Sequence, residues 1–318
     1  MVFSLQQIQS CTVGALRVWK EDDHFRFARM SEALEEAFYG VRPAFRDRAQ
    51  STTDIRLDFH TDSRMIRLDV DQSEPGTACK VELYVDGLPA LFEAYEGRKV
   101  IVHELPEGMK RVTIVLPCHQ VGRLYNLSVD EWARVEPHRF EKKILFLGDS
   151  ITQGWKADHD SMSYSNLVAR WFDAESLNWA VGGSCFDPAF VEKTDFDPDV
   201  VIVGYGTNDY SARKDMALFT DYCRGHLDKV KEHYGSKKVF VISPIWRADH
   251  QLCKGTGALN DCRAVVAREA EARGFTHIDG FKLVPHDREY MADGYLHPND
   301  LGFYQYAMNL IKELTPYI

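Results

Sequence analysis

The spacing of hydrophobic positions changes once along the chain. Between Ser51 and Leu116 they alternate with polar ones: Ile55, Leu57 and Phe59, then Ile66, Leu68 and Val70, then Val81, Leu83 and Val85, then Val100 and Val102, then Val112, Ile114 and Leu116. A period of two puts one face of each segment on a core. Short segments of this kind, parted by Gly, Pro and Asp turns such as Asp86-Gly87, predict an antiparallel β-sandwich or jelly roll. From Lys142 onward, apolar runs alternate with helical stretches. Strands are expected at Ile144–Leu147, Leu177–Val181, Val200–Tyr205, Val239–Ser243 and Thr276–Asp279. Helices are expected at Ser161–Phe172, Met216–Tyr234, Asn260–Arg273 and Asp300–Leu314. That alternation predicts an α/β domain, a parallel sheet with helices on both faces.

The first 50 residues are less regular. From Asp22 to Gly40, Phe25, Phe27, Ala28, Ala33, Leu34, Ala37 and Phe38 recur at roughly helical spacing, so some of this stretch is expected to be helix or an irregular cover over the next domain. A chain of 318 residues exceeds what one core usually holds. Pro137 suits a linker, which places a sandwich domain at 1–137 and an α/β domain at 138–318.

Charge and cysteine content narrow the function. The net charge is −10, spread evenly: residues 1–140 carry 18 basic and 22 acidic side chains, and the remainder 20 and 26. With no basic run, neither nucleic acid nor an anionic membrane is expected as a partner. The start, Met1-Val2-Phe3-Ser4-Leu5-Gln6-Gln7-Ile8, lacks the basic and apolar regions of a secretion signal. The seven cysteines, at 11, 79, 118, 185, 223, 253 and 262, show no paired spacing and read as reduced thiols of a cytoplasmic protein. His159 between Asp158 and Asp160, and His250 near Cys253, are isolated clusters, so no metal and no cofactor is expected.

Candidate chemistry gathers where the expected strands end, which is where open α/β sheets bind ligands. After the first comes Gly148-Asp149-Ser150-Ile151-Thr152, a turn presenting a serine hydroxyl. Ser150 alone could equally be a helix cap. After the second comes Val181-Gly182-Gly183-Ser184, whose glycines leave backbone N–H groups accessible or make only a tight turn. After the third comes Gly206-Thr207-Asn208-Asp209, where Asn208 is an amide donor or a cap. Near the end, Asp293-Gly294-Tyr295-Leu296-His297-Pro298-Asn299 offers an imidazole, the usual base for a serine at neutral pH. A nucleophile, a base, an orienting carboxylate and two further donors are the set that acyl transfer needs. Asp149 and Asp209 read as braces of their turns. Trp246, after Ser243-Pro244-Ile245, is a candidate wall of an acyl pocket or else a core or surface aromatic, and Trp155 has the same readings.

These four blocks, in this order, resemble the SGNH or GDSL-type hydrolases. The resemblance covers about residues 141–318 and rests on Gly148-Asp149-Ser150-Ile151-Thr152, Asn178-Trp179-Ala180-Val181-Gly182-Gly183, Gly206-Thr207-Asn208-Asp209 and Asp293 through Gly302. It implies a flavodoxin-like sheet and a serine esterase. It puts the nucleophile on Ser150, the base on His297 and the oxyanion donors on Ser150, Gly183 and Asn208. The family places its aspartate three residues before the histidine. Here that position is Gly294, and Asp293 lies four before. Either the turn holds an extra residue and Asp293 still orients the ring, or the site is a Ser–His dyad. A β-sandwich ahead of such a domain resembles the layout of several carbohydrate esterases. It implies a small acyl group, most simply acetyl, on a carbohydrate-like alcohol, with the sandwich as a sugar-binding, capping or homo-oligomer-forming element. The alternatives are a lipase-like or thioesterase activity on longer chains, and a binding module that recognises sugar esters without cleaving them.

Overall fold

The computed structural model describes residues 1–72 and 79–318. They form two compact units. One comprises Met1–Ser31, Gln50–Phe140 and His159–Ser161, and the other comprises Glu32–Ala49, Glu141–Asp158 and Met162–Ile318.

The first unit is the expected sandwich. In spatial order, one antiparallel sheet runs Thr12–Val13, Arg56–Thr61, Lys110–Val115, Cys79–Val85, Leu88–Tyr95, with Val135–Pro137 also paired to Arg56–Thr61. The other runs Arg17–Glu21, His24–Ala28, Gly122–Val129, Met65–Gln72, Lys99–Glu104. Register pairs Leu57 with Ile114 and Phe59 with Val112 in one sheet, and Leu68 with Leu127 and Val70 with Leu124 in the other. All eight side chains belong to a single buried cluster, so the period-two positions of both sheets close on one core.

The stretch from Asp22 to Gly40 is helical in part, as expected, over Glu32–Val41, and the part before it is a strand, His24–Ala28. Phe25 and Phe27 sit two apart and join the sandwich core, whereas Leu34 and Phe38 sit four apart on a buried helix face. The two spacings run together in the sequence and imitate one helix. The division between units also differs from a break at 137. The sandwich runs to Phe140, and Glu32–Ala49 belongs to the α/β unit. That segment is held there by Phe38, whose ring stacks on Phe190 at 3.9 Å. Conversely His159–Ser161 belongs to the sandwich unit, where Cys118 N–H donates to Asp160 and His159 rests 4.3 Å from the ring of Phe92.

The second unit carries a parallel sheet of five strands in the order Ala174–Asn178, Lys142–Gly148, Val200–Gly204, Lys238–Ile242, Thr276–Ile278. The first strand in sequence lies between the second and the third, the flavodoxin-like order, so its carboxyl end is the topological switch point. Ile144, Leu145, Phe146 and Leu147 are each fully buried. Ile144 and Phe146 pack with Tyr164, Val168, Phe303, Tyr306 and Ala307 on one face, and Leu145 and Leu147 point to the other. Burial of such side chains contributes about 1.5–3 kcal/mol each, which makes this strand a rigid base for the turn that follows it. The run Trp179–Val181 lies beyond the regular second strand but stays bonded to the first, Trp179 N–H to Phe146 O and Val181 N–H to Gly148 O.

Gly148 is set by space. A β-carbon there would lie 2.1 Å from Thr152 Oγ1 and 2.9 Å from the backbone oxygen of Gly204, its neighbour on the adjoining strand. Gly148→Ala is therefore expected to destabilise the protein by about 1–3 kcal/mol, as overpacking does. Chemical denaturation of the two proteins measures this. An unchanged midpoint would mean that the sheet edge yields freely.

Candidate active site

Four turns at the carboxyl edge of the sheet bring the candidate residues together. Ser150 follows the central strand in a turn braced from within. Asp149 accepts the Ile151 N–H at 3.0 Å, Gln153 N–H bonds Asp149 O, and Trp155 N–H bonds Ser150 O. Thr152 Oγ1 meets Tyr164 OH at 2.8 Å, and Asn178 Nδ2 donates to Thr152 O at 2.9 Å. Burial pushes the Asp149 carboxyl up to about 7, helped by the like charge of Asp209 and opposed by the Ile151 N–H and Arg247. Asp209 is buried as well and pushed up to about 6, with Arg213 and the Phe186 N–H resisting. Both carboxyls are occupied in holding turns, as their sequence context suggested.

Ser150 caps no helix. Its hydroxyl lies 2.9 Å from His297 Nε2, across 147 positions of sequence. On the far side of the ring, His297 Nδ1 is 2.7 Å from Asp293 Oδ2. Asp293 reaches it because Gly294 takes a left-handed turn, φ 64°, which absorbs the extra residue. The other oxygen, Asp293 Oδ1, accepts the N–H groups of Tyr295 (2.9 Å), Leu296 (2.8 Å) and His297 (3.2 Å). Burial would raise the Asp293 carboxyl, but these N–H groups and the imidazole bring it below the ordinary range. Beyond the histidine, Asn299 caps the last helix by accepting the Gly302 N–H and ties back to Glu289 O at 2.7 Å. The imidazole is thus fixed from both sides of the chain. Burial lowers its pKa below the usual histidine value, more than Asp293 raises it, and Lys156 and Arg247 add to the lowering. At neutral pH the ring is uncharged and able to accept a proton.

The donors converge on the same edge. Asn208 lies in the helix Thr207–Ala212, which Gly206 caps, so Asn208 is not the cap. Its Nδ2 donates to Ser184 O at 2.9 Å, which orients the amide and leaves its second hydrogen available. The backbone N–H groups of Ser150 and Gly183 meet no acceptor among the described residues. Trp246 is placed in the hydrophobic core, 7% exposed, its ring stacked on His286 and tilted against His250. Of the readings of that residue, the core aromatic describes its surroundings. Trp155 lies 5.4 Å beneath the guanidinium of Arg48.

Sequence reading passed over Arg247. This buried side chain donates to Thr207 O and Oγ1 (2.9 and 3.0 Å), pairs with Asp249 and meets Tyr295 OH. It therefore ties the Asn208 turn to the His297 loop. No local motif marks it, because the two residues through which it ties these segments, Thr207 and Tyr295, lie 40 and 48 positions away. None of the seven cysteines forms a disulfide. Among the described residues no helix is long and apolar enough to cross a membrane, and no group of three or more metal-binding side chains is assembled.

A family model described as GDSL-like Lipase/Acylhydrolase family matches residues 146–304, half of the chain's 318 residues. The cellulase/esterase CelE of Acetivibrio thermocellus is 25% identical over 166 residues, 40% of this chain and 20% of the relative, so the chain spans about a fifth of that protein's length. Among solved structures, a salicylyl-acyltransferase from a tetracycline biosynthetic pathway is similar with a TM-score of 0.81 at 19% identity, covering 96% of this chain and 94% of that one. A family two carbohydrate esterase from Clostridium thermocellum, solved in complex with cellohexaose, is similar with a TM-score of 0.63 at 16% identity, covering 84% and 93%.

Proposed function

The chain belongs to the GDSL-like lipase/acylhydrolase family, the SGNH-type ester hydrolases, and from that premise we propose that it removes a small acyl group, acetyl above all, from an oxygen of a carbohydrate-like alcohol. The observation that carries the mechanism is the unbroken line from Ser150 Oγ through His297 to Asp293, with spacings of 2.9 and 2.7 Å. Ser150 Oγ attacks the ester carbonyl while His297 Nε2 takes its proton. The negative charge that develops on the carbonyl oxygen meets the N–H groups of Ser150 and Gly183 and the amide of Asn208. Each such donor contributes roughly 10²–10³ in rate. His297 then returns the proton to the leaving alcohol. A water molecule, deprotonated by the same nitrogen, frees the acid from the acyl-enzyme. Support for a sugar alcohol comes from CelE and from the carbohydrate esterase seen with cellohexaose.

The test is a series of p-nitrophenyl esters, acetate to octanoate, followed by acetylated xylo- and cello-oligosaccharides. The reading expects kcat/KM to be highest on acetate and acetate to be released from the sugars. A rate that climbs with chain length would point to a lipase-like or thioesterase activity instead. Saturable sugar-ester binding with no turnover of any ester would leave a binding module. Products are to be analysed with added alcohols, since transfer to an acceptor would appear as a new ester.

Asp293→Asn probes the orienter. It keeps the size of the side chain but removes the charge that favours imidazolium and holds the Nδ1 tautomer. We expect kcat to fall by about 10²–10⁴ and the acidic limb of the pH profile to move to lower pH. A full-rate variant with an unmoved limb would mean that the serine and histidine work without the carboxylate.

A further inference from the structure

We propose that Arg48 is a positioning residue of the acyl-transfer site, holding the Gly182–Gly183 peptide so that the Gly183 N–H faces the developing oxyanion; this rests on the serine-esterase reading above. Arg48 lies on the short helix Phe45–Gln50, 134 positions ahead of the glycines, and its Nη1 donates to Gly182 O at 2.5 Å. No cis peptide occurs among the described residues. In a trans peptide the carbonyl and the following N–H point in opposite directions. Fixing Gly182 O on one side therefore fixes the Gly183 N–H on the other, where it meets no acceptor among the described residues.

The neighbouring peptide is held too. Gly182 N–H donates to Gln153 Oε1 at 2.7 Å, and Gln153 Nε2 donates to the backbone oxygen of Arg48 at 3.1 Å. One glutamine, three residues after Ser150, thus joins the nucleophile turn, the glycine turn and the Arg48 helix. Packing is close as well. A β-carbon at Gly183 would lie 3.1 Å from Arg48 Nη1 and 3.4 Å from Phe45 Cε1, and Phe38 and Phe190 anchor the same segment. Without such a clamp, a Gly-Gly pair has wide backbone freedom. An oxyanion donor helps only if it is aimed before the charge forms.

The experiment compares Arg48→Met, which keeps length and packing, with Arg48→Lys, which can still donate to the carbonyl. For Arg48→Met we expect kcat on p-nitrophenyl acetate to fall roughly 10–100-fold with KM and the thermal midpoint little changed, since a donor is misdirected rather than deleted. Affinity for an alkylboronic acid, whose tetrahedral serine adduct places an oxygen in the same hole, should fall in parallel. Arg48→Lys should recover most of both. Wild-type kcat in a folded Arg48→Met would overturn the proposal. So would a loss that appears in KM or in the thermal midpoint and is not recovered by lysine. If the wild type turns over no ester, the esterase reading has failed on its own. The clamp is then read by amide hydrogen exchange over residues 181–185: faster exchange in Arg48→Met supports it, and unchanged exchange overturns it.

Discussion

Ser150→Ala is expected to lower kcat on p-nitrophenyl acetate by roughly 10⁴–10⁶ while the protein stays folded. The substitution removes one oxygen from a residue that is 5% exposed and whose hydroxyl bonds only His297 among the described residues. The turn itself is held by Asp149, Thr152 and Gln153, so its shape does not depend on that oxygen. What disappears is the covalent route. Water could still be deprotonated by His297 and meet a carbonyl held by the remaining donors, but without a bonded nucleophile most of the rate is lost. Steady-state kinetics, paired with circular dichroism, measures the effect. A folded Ser150→Ala protein with wild-type rates would place the chemistry elsewhere.

The second large effect is at His297. His297→Ala should reduce kcat by about 10⁴, because the serine hydroxyl loses its base and the leaving alcohol its acid. The pH profile carries the sign. The base must be neutral, so kcat/KM is full above the imidazole pKa and declines as pH falls through it. Burial of the ring, with Lys156 and Arg247 nearby, lowers that pKa below 6.5 despite Asp293. The wild-type decline should therefore lie on the acid side of an ordinary histidine. Residual activity of His297→Ala should lack that limb. A wild-type limb above the ordinary histidine range would contradict the electrostatics described for the ring.

Much of this was legible in the sequence because the signals were local. Three of the parallel strands, Lys142–Gly148, Val200–Gly204 and Lys238–Ile242, announce themselves as apolar runs, whereas the second was expected at Leu177–Val181 and lies at Ala174–Asn178, where polar residues break the run. The helix Met216–Tyr234 has the bounds its periodicity predicts. Ser150 stands in the turn directly after its strand and Asn208 in the short helix that begins just beyond the third, so locating those strands locates both residues; His297 lies some way beyond the last strand, Thr276–Ile278, and was found by its own local run ahead of Pro298. Asp293 was harder. Its contact with the ring depends on the sign of one φ angle at Gly294, and composition alone does not decide that. In Asp22–Gly40 the helix was legible in part but the strand His24–Ala28 was not, because a period of two abuts a period near four. Arg48, Gln153 and Arg247 were not legible at all. Each works through a backbone oxygen or a distant loop, and neither the identity nor the spacing of such partners leaves a mark on the chain. The domain division hid for the same reason, since residues 32–49 belong to the α/β unit through contacts distant in sequence, Phe38 with Phe190 and Arg48 with Gly182 among them.

The most direct test of the central claim is covalent. Wild type, Ser150→Ala and His297→Ala are each treated with a fluorophosphonate at neutral pH and followed by intact-protein and peptide mass spectrometry. A single phosphonyl adduct is expected on Ser150 in the wild type, none in Ser150→Ala, and greatly slowed labelling in His297→Ala. A wild-type protein left unmodified, or modified at a residue other than Ser150, would contradict that claim.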